Sequence, residues 1–321
     1  MKKGVSKFLL IASLSLMLMF LVSCQGGVKA GEGPQDTAAV LKAVQTGTQG
    51  VEIEILQNSP PPMIYDQNEL VALVEVHNRG NHDLPAQDCF VQVTGFDPNI
   101  IGGDFQRYAS CNEGYGGQPL EGKNVYNTQG GINQLEFRSS NVALPPGVFE
   151  YSPTLNFVTC YYYHTIANPA VCVDPAFYQV THEQKSCTPQ NVAMGGGQGA
   201  PVGVSYVGVD MVGSKAIFEI NVINSGTGQV LSDNADIRNC GRASLDYEDL
   251  DKVRYTARLS GGSMDCKPRD GYVRLNNGQG KIVCSANIAG TSAYETPLML
   301  DFEYGYVQSV QKPIKIVMTP Q

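Results

Sequence analysis

The chain has 321 residues, of which 16% are charged, and its formal net charge at pH 7 is −8. A protein that grips nucleic acid presents a basic face to the phosphates, so this acidic balance argues against a nucleic-acid partner. The 35 glycines and 18 prolines supply many turns, which is typical of a β-rich protein. The length is enough for about two domains.

The first 23 residues have the pattern of an export signal. Lys2, Lys3 and Lys7 precede an uncharged, mostly apolar run from Phe8 to Val22. That run is shorter than the roughly 20 residues that a membrane-spanning helix needs. We therefore predict that residues 1–23 are a signal peptide. An ordinary cleaved signal followed by a free cysteine and a short signal-anchor helix are the alternatives.

The end of this segment, Leu21-Val22-Ser23-Cys24, resembles the lipobox of prokaryotic lipoproteins. The resemblance implies that the sulfur of Cys24 receives a diacylglyceryl group and that Cys24 becomes the first residue of the mature chain. Two acyl chains give stable attachment to a bilayer. The resemblance thus predicts a membrane-anchored, extracytoplasmic lipoprotein that faces the cell exterior or the periplasm, with residues 24–50 as a lipidated, flexible tether.

Cysteine parity supports the same interpretation. The chain has nine cysteines, and an exported protein usually pairs its thiols, so lipidation of Cys24 leaves an even set of eight. We expect those eight to form disulfides: Cys89, Cys111, Cys160, Cys172, Cys187, Cys240, Cys266 and Cys284. Cys89–Cys111 and Cys266–Cys284 are favoured as local pairs. The other four leave two alternatives, either bridges from Cys172 and Cys187 to both domains, or Cys172–Cys187 together with Cys160–Cys240.

Short strands follow the tether in chain order. The segments VEIEIL, ELVALVEVHNRG and CFVQVTGF, which begin at Val51, Glu69 and Cys89, alternate or concentrate apolar residues and end at Gly, Pro or Asn. Such runs predict an antiparallel β-sandwich. The best candidate for a short helix is SLDYEDLDKV, residues 244–253.

An internal repeat organises the chain. The strand that ends in Asn78-Arg79-Gly80 is matched by the strand that ends in Asn224-Ser225-Gly226, 146 residues later. A second match aligns Tyr161 with Tyr304 and Tyr163 with Tyr306, at an offset of 143 residues. Two matches in the same order indicate a tandem duplication. We predict two immunoglobulin-like sandwiches, residues 51–165 and 201–321, joined by a disulfide-braced connector, residues 166–200.

The strand–Asn-x-Gly segment resembles the V-x-V-x-N-x-G segment of CARDB-like and related immunoglobulin-like modules in bacterial and archaeal surface proteins. The stretches GFDPNIIGG and GGGQGAPV resemble segments of secreted proteins from small-genome archaea. These resemblances imply an all-β architecture of tandem sandwiches at the cell surface. They imply no catalytic residue and no cofactor.

Strand alternation assigns faces within the second match. Leu298, Leu300, Phe302, Tyr304 and Tyr306 form one face of their strand, which we expect to be the core face. Cys160 aligns with Glu303 on the opposite face, so we expect it to point outward and to meet something outside its own core. Tyr161 and Tyr163 are expected to pack in the core, and Tyr162 to be exposed.

Motifs for chemistry are scarce. The acidic groups in DYEDLDK and SDNAD lack the spacing of an EF-hand loop, so we interpret them as a solvated acidic face rather than a calcium site. MGGGQGAPV lacks the ending of a P-loop, and we predict no enzyme activity, cofactor or metal. The sequence favours a non-catalytic binding or adhesion module with an unknown protein or glycan ligand. The alternative is a structural envelope or filament subunit that binds further copies of itself.

Overall fold

Strands dominate the chain, which confirms the predicted all-β fold class. The computed structural model describes residues 37–140, 142–179, 184–239, 241, 245–260 and 262–320. One α-helix, α1 (Thr37–Val44), precedes the first strand, and single 3-10 turns span Gly103–Gln106 and Tyr247–Asp249. Among these residues no helix has the length and apolarity to cross a membrane. The predicted signal peptide and Cys24 lie outside the described ranges.

The strands are numbered in chain order. They are β1 (Val51–Ile55), β2 (Met63–Tyr65), β3 (Leu70–Asn78), β4 (Cys89–Thr94), β5 (Tyr108–Ser110), β6 (Ile132–Ser139), β7 (Glu150–Tyr151), β8 (Thr154–Ala167), β9 (Ala170–Val173), β10 (Val192–Ala193), β11 (Val202–Val212), β12 (Lys215–Asn224), β13 (Gln229–Leu231), β14 (Lys252–Leu259), β15 (Gly262–Ser263), β16 (Asp265–Lys267), β17 (Tyr272–Arg274), β18 (Gln279–Asn287), β19 (Tyr294–Pro313) and β20 (Lys315–Val317).

Four sheets result from these strands. One has the order β1-β3-β6, and a second has the order β10-β11-β12-β18-β16. The largest sheet has nine strands, with β15-β14-β19-β8-β4-β5 as its path and β9, β13 and β17 paired to its sides. A small sheet, β2-β20-β7, contains the parallel pair β2–β20.

The core lies where the sheets face one another. In the first half (residues 51–165), the alternating residues of β3 from Leu70 to Val76 are fully buried, and they share one hydrophobic cluster with Phe157 of β8. In the second half (residues 201–321), Phe218 of β12 and Leu300 of β19 belong to that same cluster. Each half therefore buries one face of its strands, as the period-two alternation of apolar residues predicts. Removal of this apolar surface from water is the main driving force for folding.

The two halves share a single sheet. Strand β8 pairs antiparallel with β19 over a long register, from Ala167 opposite Leu300 to Thr154 opposite Pro313. The predicted domain boundary at residue 165 falls inside β8, and the predicted connector contributes β9 and β10 to the sheets. The halves are thus joined by a ladder of backbone hydrogen bonds as well as by the connector.

The end of the predicted tether is part of the fold. Gly47 donates its N–H to the carbonyl of Gly196 (2.7 Å) and accepts a hydrogen bond from Gly199 (2.9 Å), while the carbonyl of Gly50 accepts one from Arg79 (2.8 Å). A Cβ atom on Gly197 would lie 2.1 Å from the Gly47 oxygen, so only glycine allows this close approach. The prediction of a flexible tether up to residue 50 is therefore wrong for residues 47–50.

The segment predicted as a short helix is mostly not helical. Among its described residues, 245–253, the helical part is a 3-10 turn at Tyr247–Asp249, and β14 begins at Lys252. Val253 and Tyr255 are buried, and β14 pairs with both β17 and β19. Pairing on both sides outweighs the weak local helix preference of this acidic stretch.

Candidate functional site

A tetrad of buried tyrosines marks the centre of the junction between the halves. In the register of β8 and β19, Tyr161 lies opposite Tyr306 and Tyr163 lies opposite Tyr304. All four are at most 2% exposed. This burial confirms that Tyr161 and Tyr163 are packing residues, and it confirms the predicted core face of β19.

The four rings of the tetrad pack in a closed square. The ring centroids are 5.6 Å apart for Tyr161 and Tyr163, 5.5 Å for Tyr161 and Tyr306, and 6.5 Å for each of the other two sides. These separations are typical of stabilising aromatic pairs. Burial raises the pKa of every tyrosine in the tetrad, because a phenolate would lose its hydration.

An asparagine holds each half of the repeat to the tetrad. In the first half, Oδ1 of Asn78 accepts hydrogen bonds from the Tyr163 hydroxyl (3.1 Å) and from the N–H of Gly80 (3.3 Å). Its Nδ2 donates to the carbonyls of His82 (2.7 Å) and Leu120 (3.0 Å). Asn78 is fully buried, so its amide is satisfied entirely by protein groups.

The second half repeats this clamp. Oδ1 of Asn224 accepts from the Tyr306 hydroxyl (3.1 Å) and from the N–H of Gly226 (3.1 Å), and Nδ2 donates to the carbonyl of Gly228 (2.9 Å). A Cβ atom on Gly226 would lie 2.3 Å from the Tyr306 hydroxyl, which explains why glycine follows two residues after the asparagine. In each half, the asparagine of the first sequence match is therefore hydrogen-bonded to a tyrosine of the second match.

A polar cleft of about 480 Å³ opens at the junction. Three neighbouring strands form its floor, because Arg254 of β14 lies opposite Glu303 of β19, which lies opposite His164 of β8. These three side chains form one cross-strand row. The other residues that line this junction cleft are His82, Tyr162, Tyr163, Asp233, Asn234 and Tyr304.

Charges of both signs are interleaved in the junction cleft. Arg254 lies 3.4 Å from a carboxylate oxygen of Asp233 and 3.5 Å from one of Glu303. Both contacts are long and Arg254 is half exposed, so they are weak and open to rearrangement. The Tyr162 hydroxyl donates to the carbonyl of Ala235 (2.6 Å), which fixes a half-buried aromatic ring at the wall.

Two histidines from the first half complete the junction cleft. The rings of His82 and His164 are 5.6 Å apart, centroid to centroid, and His164 hydrogen-bonds Asp301. Burial lowers the pKa of His82, the neighbouring His164 lowers it further, and Asp83 partly opposes both effects. His82 is therefore neutral at pH 7, and its imidazole offers one donor and one acceptor.

No protein-family model matches this chain, and a search of curated proteins returns no match.

The predicted cysteines are placed as follows. Disulfides join Cys89 to Cys111 and Cys266 to Cys284, the two local pairs that the sequence favours. A third joins Cys172 to Cys187, which contradicts the alternative in which these two cysteines bridge to different domains. Cys160 is also disulfide-bonded. Cys240, its partner in the other alternative, lies outside the described residues.

Cys160 is on the predicted face of β8, but that face is not wet. It is 1% exposed and lies in a second hydrophobic cluster with Phe90, Val158, Leu231, Ala235 and Ile237. Because Leu231, Ala235 and Ile237 pack in this cluster, residues of the second half cover the outer face of β8. The expectation that Cys160 meets something outside its own core is confirmed, and the expectation of a largely wet face is wrong at this position.

The acidic stretches show ordinary surface contacts. Glu248 pairs with Arg274 (3.3 Å), and Asp236 accepts the backbone N–H of Arg238 (3.0 Å). In the described part of the chain, side chains of the metal-ligating types converge only at Glu54, Glu75 and His77. Neither this cluster nor the row that forms the junction cleft stands in a motif that identifies it from the sequence. The alternation of VEIEI against LVEVH is the signal that could have indicated the cluster.

Proposed function

We propose that this chain is a lipid-anchored, extracytoplasmic, non-catalytic binding protein built from two immunoglobulin-like sandwiches. The observation that carries the proposal is the row of Arg254, Glu303 and His164, which both halves supply to one cleft. Ligand sites in proteins are typically concave and occur preferentially between domains. The disulfides fit an oxidising compartment outside the cytoplasm.

The lining of the junction cleft favours a neutral ligand that is rich in hydroxyl groups, such as a glycan. Arg254 supplies donors and Glu303 supplies acceptors, while neutral His82 supplies one of each. A hydroxyl group both donates and accepts, so it suits this mixture better than a ligand with charge of one sign. The half-buried Tyr162 ring offers an apolar face for the carbon side of a sugar ring.

The tyrosine hydroxyls of the junction cleft are held by other groups of the protein. Tyr162 is held by Ala235 through its hydroxyl, and the hydroxyls of Tyr163 and Tyr304 are engaged in the buried clamp and core.

Arg254→Ala is expected to weaken glycan binding by about tenfold or more, because a hydrogen bond from a charged group contributes about 1.5–3 kcal/mol. The full chain in mild detergent would be screened on an oligosaccharide array, and the strongest ligand would be titrated calorimetrically. Arg258→Ala is the matched control, since Arg258 is exposed on the same face of β14 outside the cleft, and its binding should stay within about twofold. Equal losses in both variants, or no glycan bound by the parent chain, would reject the glycan proposal.

Cys24→Ser is expected to move the protein from the membrane fraction to the soluble fraction and to abolish incorporation of labelled lipid. Serine lacks the sulfur that would carry the diacylglyceryl group, and the acyl chains supply the membrane attachment in this proposal. Ser23→Ala, which keeps a small residue before the cysteine, is the control and should remain lipidated. A Cys24→Ser variant that stays membrane-bound would reject the lipoprotein assignment.

Self-association is the second candidate function, and one observation favours it. The small sheet β2-β20-β7 leaves apolar side chains exposed, with Met63 at 51% and Tyr65 at 41%. Phe149, directly before β7, is 70% exposed. Exposed apolar surface of this kind is common at contacts between proteins. Light scattering on the same preparation separates the candidates, because polymers that grow with concentration favour assembly and a stable monomer favours ligand binding.

A further inference from the structure

The outer face of the sheet β1-β3-β6 carries three ligand-type side chains in register. Strand β1 buries Val51 and Ile53, so alternation turns Glu54 outward. Strand β3 buries Val74 and Val76 in the same way, and Glu75 and His77 take the outer face with Glu54. The ladder pairs Glu54 directly with Glu75.

These three side chains converge on one point. A carboxylate oxygen from Glu54, a carboxylate oxygen from Glu75 and a ring nitrogen of His77 all lie within 4.8 Å of one another. Nε2 of His77 is 3.1 Å from Oε2 of Glu75. The His77 side chain is only 9% exposed, so the sheet already holds the imidazole in place, and ordering it for a ligand costs little rotamer entropy.

The cluster is electrostatically incomplete without a cation. Like charges directly opposite each other on neighbouring strands are destabilising. The nearby Arg79 pairs with Glu52 (3.0 Å), and within the described residues Glu54 has no salt-bridge partner. Nε2 of His77 is the ring nitrogen that faces Glu75, and Nδ1 of the same ring is buried with no hydrogen-bond partner among the described residues. Within those residues no lysine or arginine forms a salt bridge with Glu54 or Glu75, so the two carboxylates face each other without a fixed positive charge.

We propose that Glu54, Glu75 and His77 bind a divalent transition-metal ion such as Zn²⁺. One imidazole and two carboxylates are a donor set that zinc accepts, and water would occupy the remaining position. The imidazole selects against Mg²⁺ and Ca²⁺, which prefer sites made only of oxygen ligands. The site lies on the opposite side of the β1-β3-β6 sheet from the core, and it is independent of the junction cleft and of the lipid anchor.

Calorimetric titration of the full, tag-free chain in mild detergent with zinc sulfate, after removal of metal by a chelator, tests the proposal. We expect one zinc ion per chain. Glu54→Gln, which keeps the shape of an exposed side chain, should weaken binding by at least about tenfold. Glu52→Gln is the matched control, because it removes the same charge from the same face of β1, and it should change the affinity by less than about threefold.

His77→Gln and a calcium titration complete the experiment. His77→Gln should abolish zinc binding, and circular dichroism would check that this nearly buried replacement leaves the fold intact. Glu54→Gln tests the same metal site without disturbing a buried residue. Zinc affinity that falls equally in Glu52→Gln and Glu54→Gln, calcium binding as tight as zinc binding, or no zinc bound at all would each overturn the proposal.

Discussion

Replacing Asn78 with alanine is expected to lower the free energy of unfolding by about 3 kcal/mol or more, since each buried polar group left without a partner costs about 1–3 kcal/mol. The substitution removes the acceptor of the Tyr163 hydroxyl and of Gly80, and the donor to His82 and Leu120. Because Asn78 is fully buried, water cannot replace these bonds. Urea denaturation of the full chain, followed by far-ultraviolet circular dichroism, measures the loss.

Asn224→Ala is the internal control for this prediction. Asn224 makes three of the four corresponding hydrogen bonds in the second half, and it is partly exposed, so water can satisfy the groups it leaves. We expect a smaller loss there, about 1–2 kcal/mol. Equal losses at the two positions would show that burial of the asparagine does not determine how much its hydrogen bonds contribute to the free energy of unfolding. A loss below about 1 kcal/mol at Asn78 would show that the clamp is not a structural centre.

The clamp shows how far a repeat can be interpreted from sequence. The two matches, at offsets of 146 and 143 residues, both mark real structural equivalences. What the sequence does not contain is the contact between them, because Asn78 and Tyr163 are 85 residues apart. Strand periodicity tells which face a residue occupies, but it does not tell which strands become neighbours.

The same limit explains the errors in the predicted arrangement. Alternation correctly assigned the core face of β19, but it could not show that β8 and β19 pair with each other. It placed Cys160 on the outer face of β8 without showing that residues 231–237 cover that face. Composition alone indicates a flexible tether, and composition does not show that Gly47 meets Gly197.

The candidate site was still less predictable than the fold. Arg254, Glu303 and His164 come from three strands, and they meet only because β14, β19 and β8 are adjacent. None of them stands in a motif. The cluster of Glu54, Glu75 and His77 is easier to predict, since only the three-residue strand β2 separates β1 from β3, and strands that are close in sequence often pair. The register between β1 and β3 still depends on the connecting segment, residues 56–69, and strand alternation does not determine its geometry.

The second large effect is expected in the tyrosine tetrad. Tyr304→Ala should lower the free energy of unfolding by about 3–5 kcal/mol, as for other large buried aromatic residues. The ring is 1% exposed and packs against Tyr163 and Tyr306, so its removal leaves a cavity where the two halves join. Urea denaturation measures the change, and Tyr126→Ala, at a residue that is 97% exposed, should change it by less than about 0.5 kcal/mol.

Tyr304→Phe separates the ring from its hydroxyl. The phenylalanine keeps the packing and removes only the hydrogen bonds to Thr165 (2.9 Å) and from the N–H of Val202 (3.2 Å), so we expect a loss of about 1–3 kcal/mol. The hydroxyl also carries a pH signature. Burial raises the pKa of Tyr304 in the folded chain, whereas unfolded tyrosine titrates near pH 10.

Stability should therefore be fully present below about pH 10 and fall as the pH rises above it, because the unfolded chain then releases protons that the folded chain retains. Tyr304→Phe removes one of the buried titrating groups, so its stability should decline less steeply above about pH 10 than that of the parent chain. Urea denaturation at a series of alkaline pH values measures the two slopes. Equal slopes, or complete tyrosinate absorbance in a chain that is still folded, would mean that water reaches the tetrad and that the halves are not joined by a closed core.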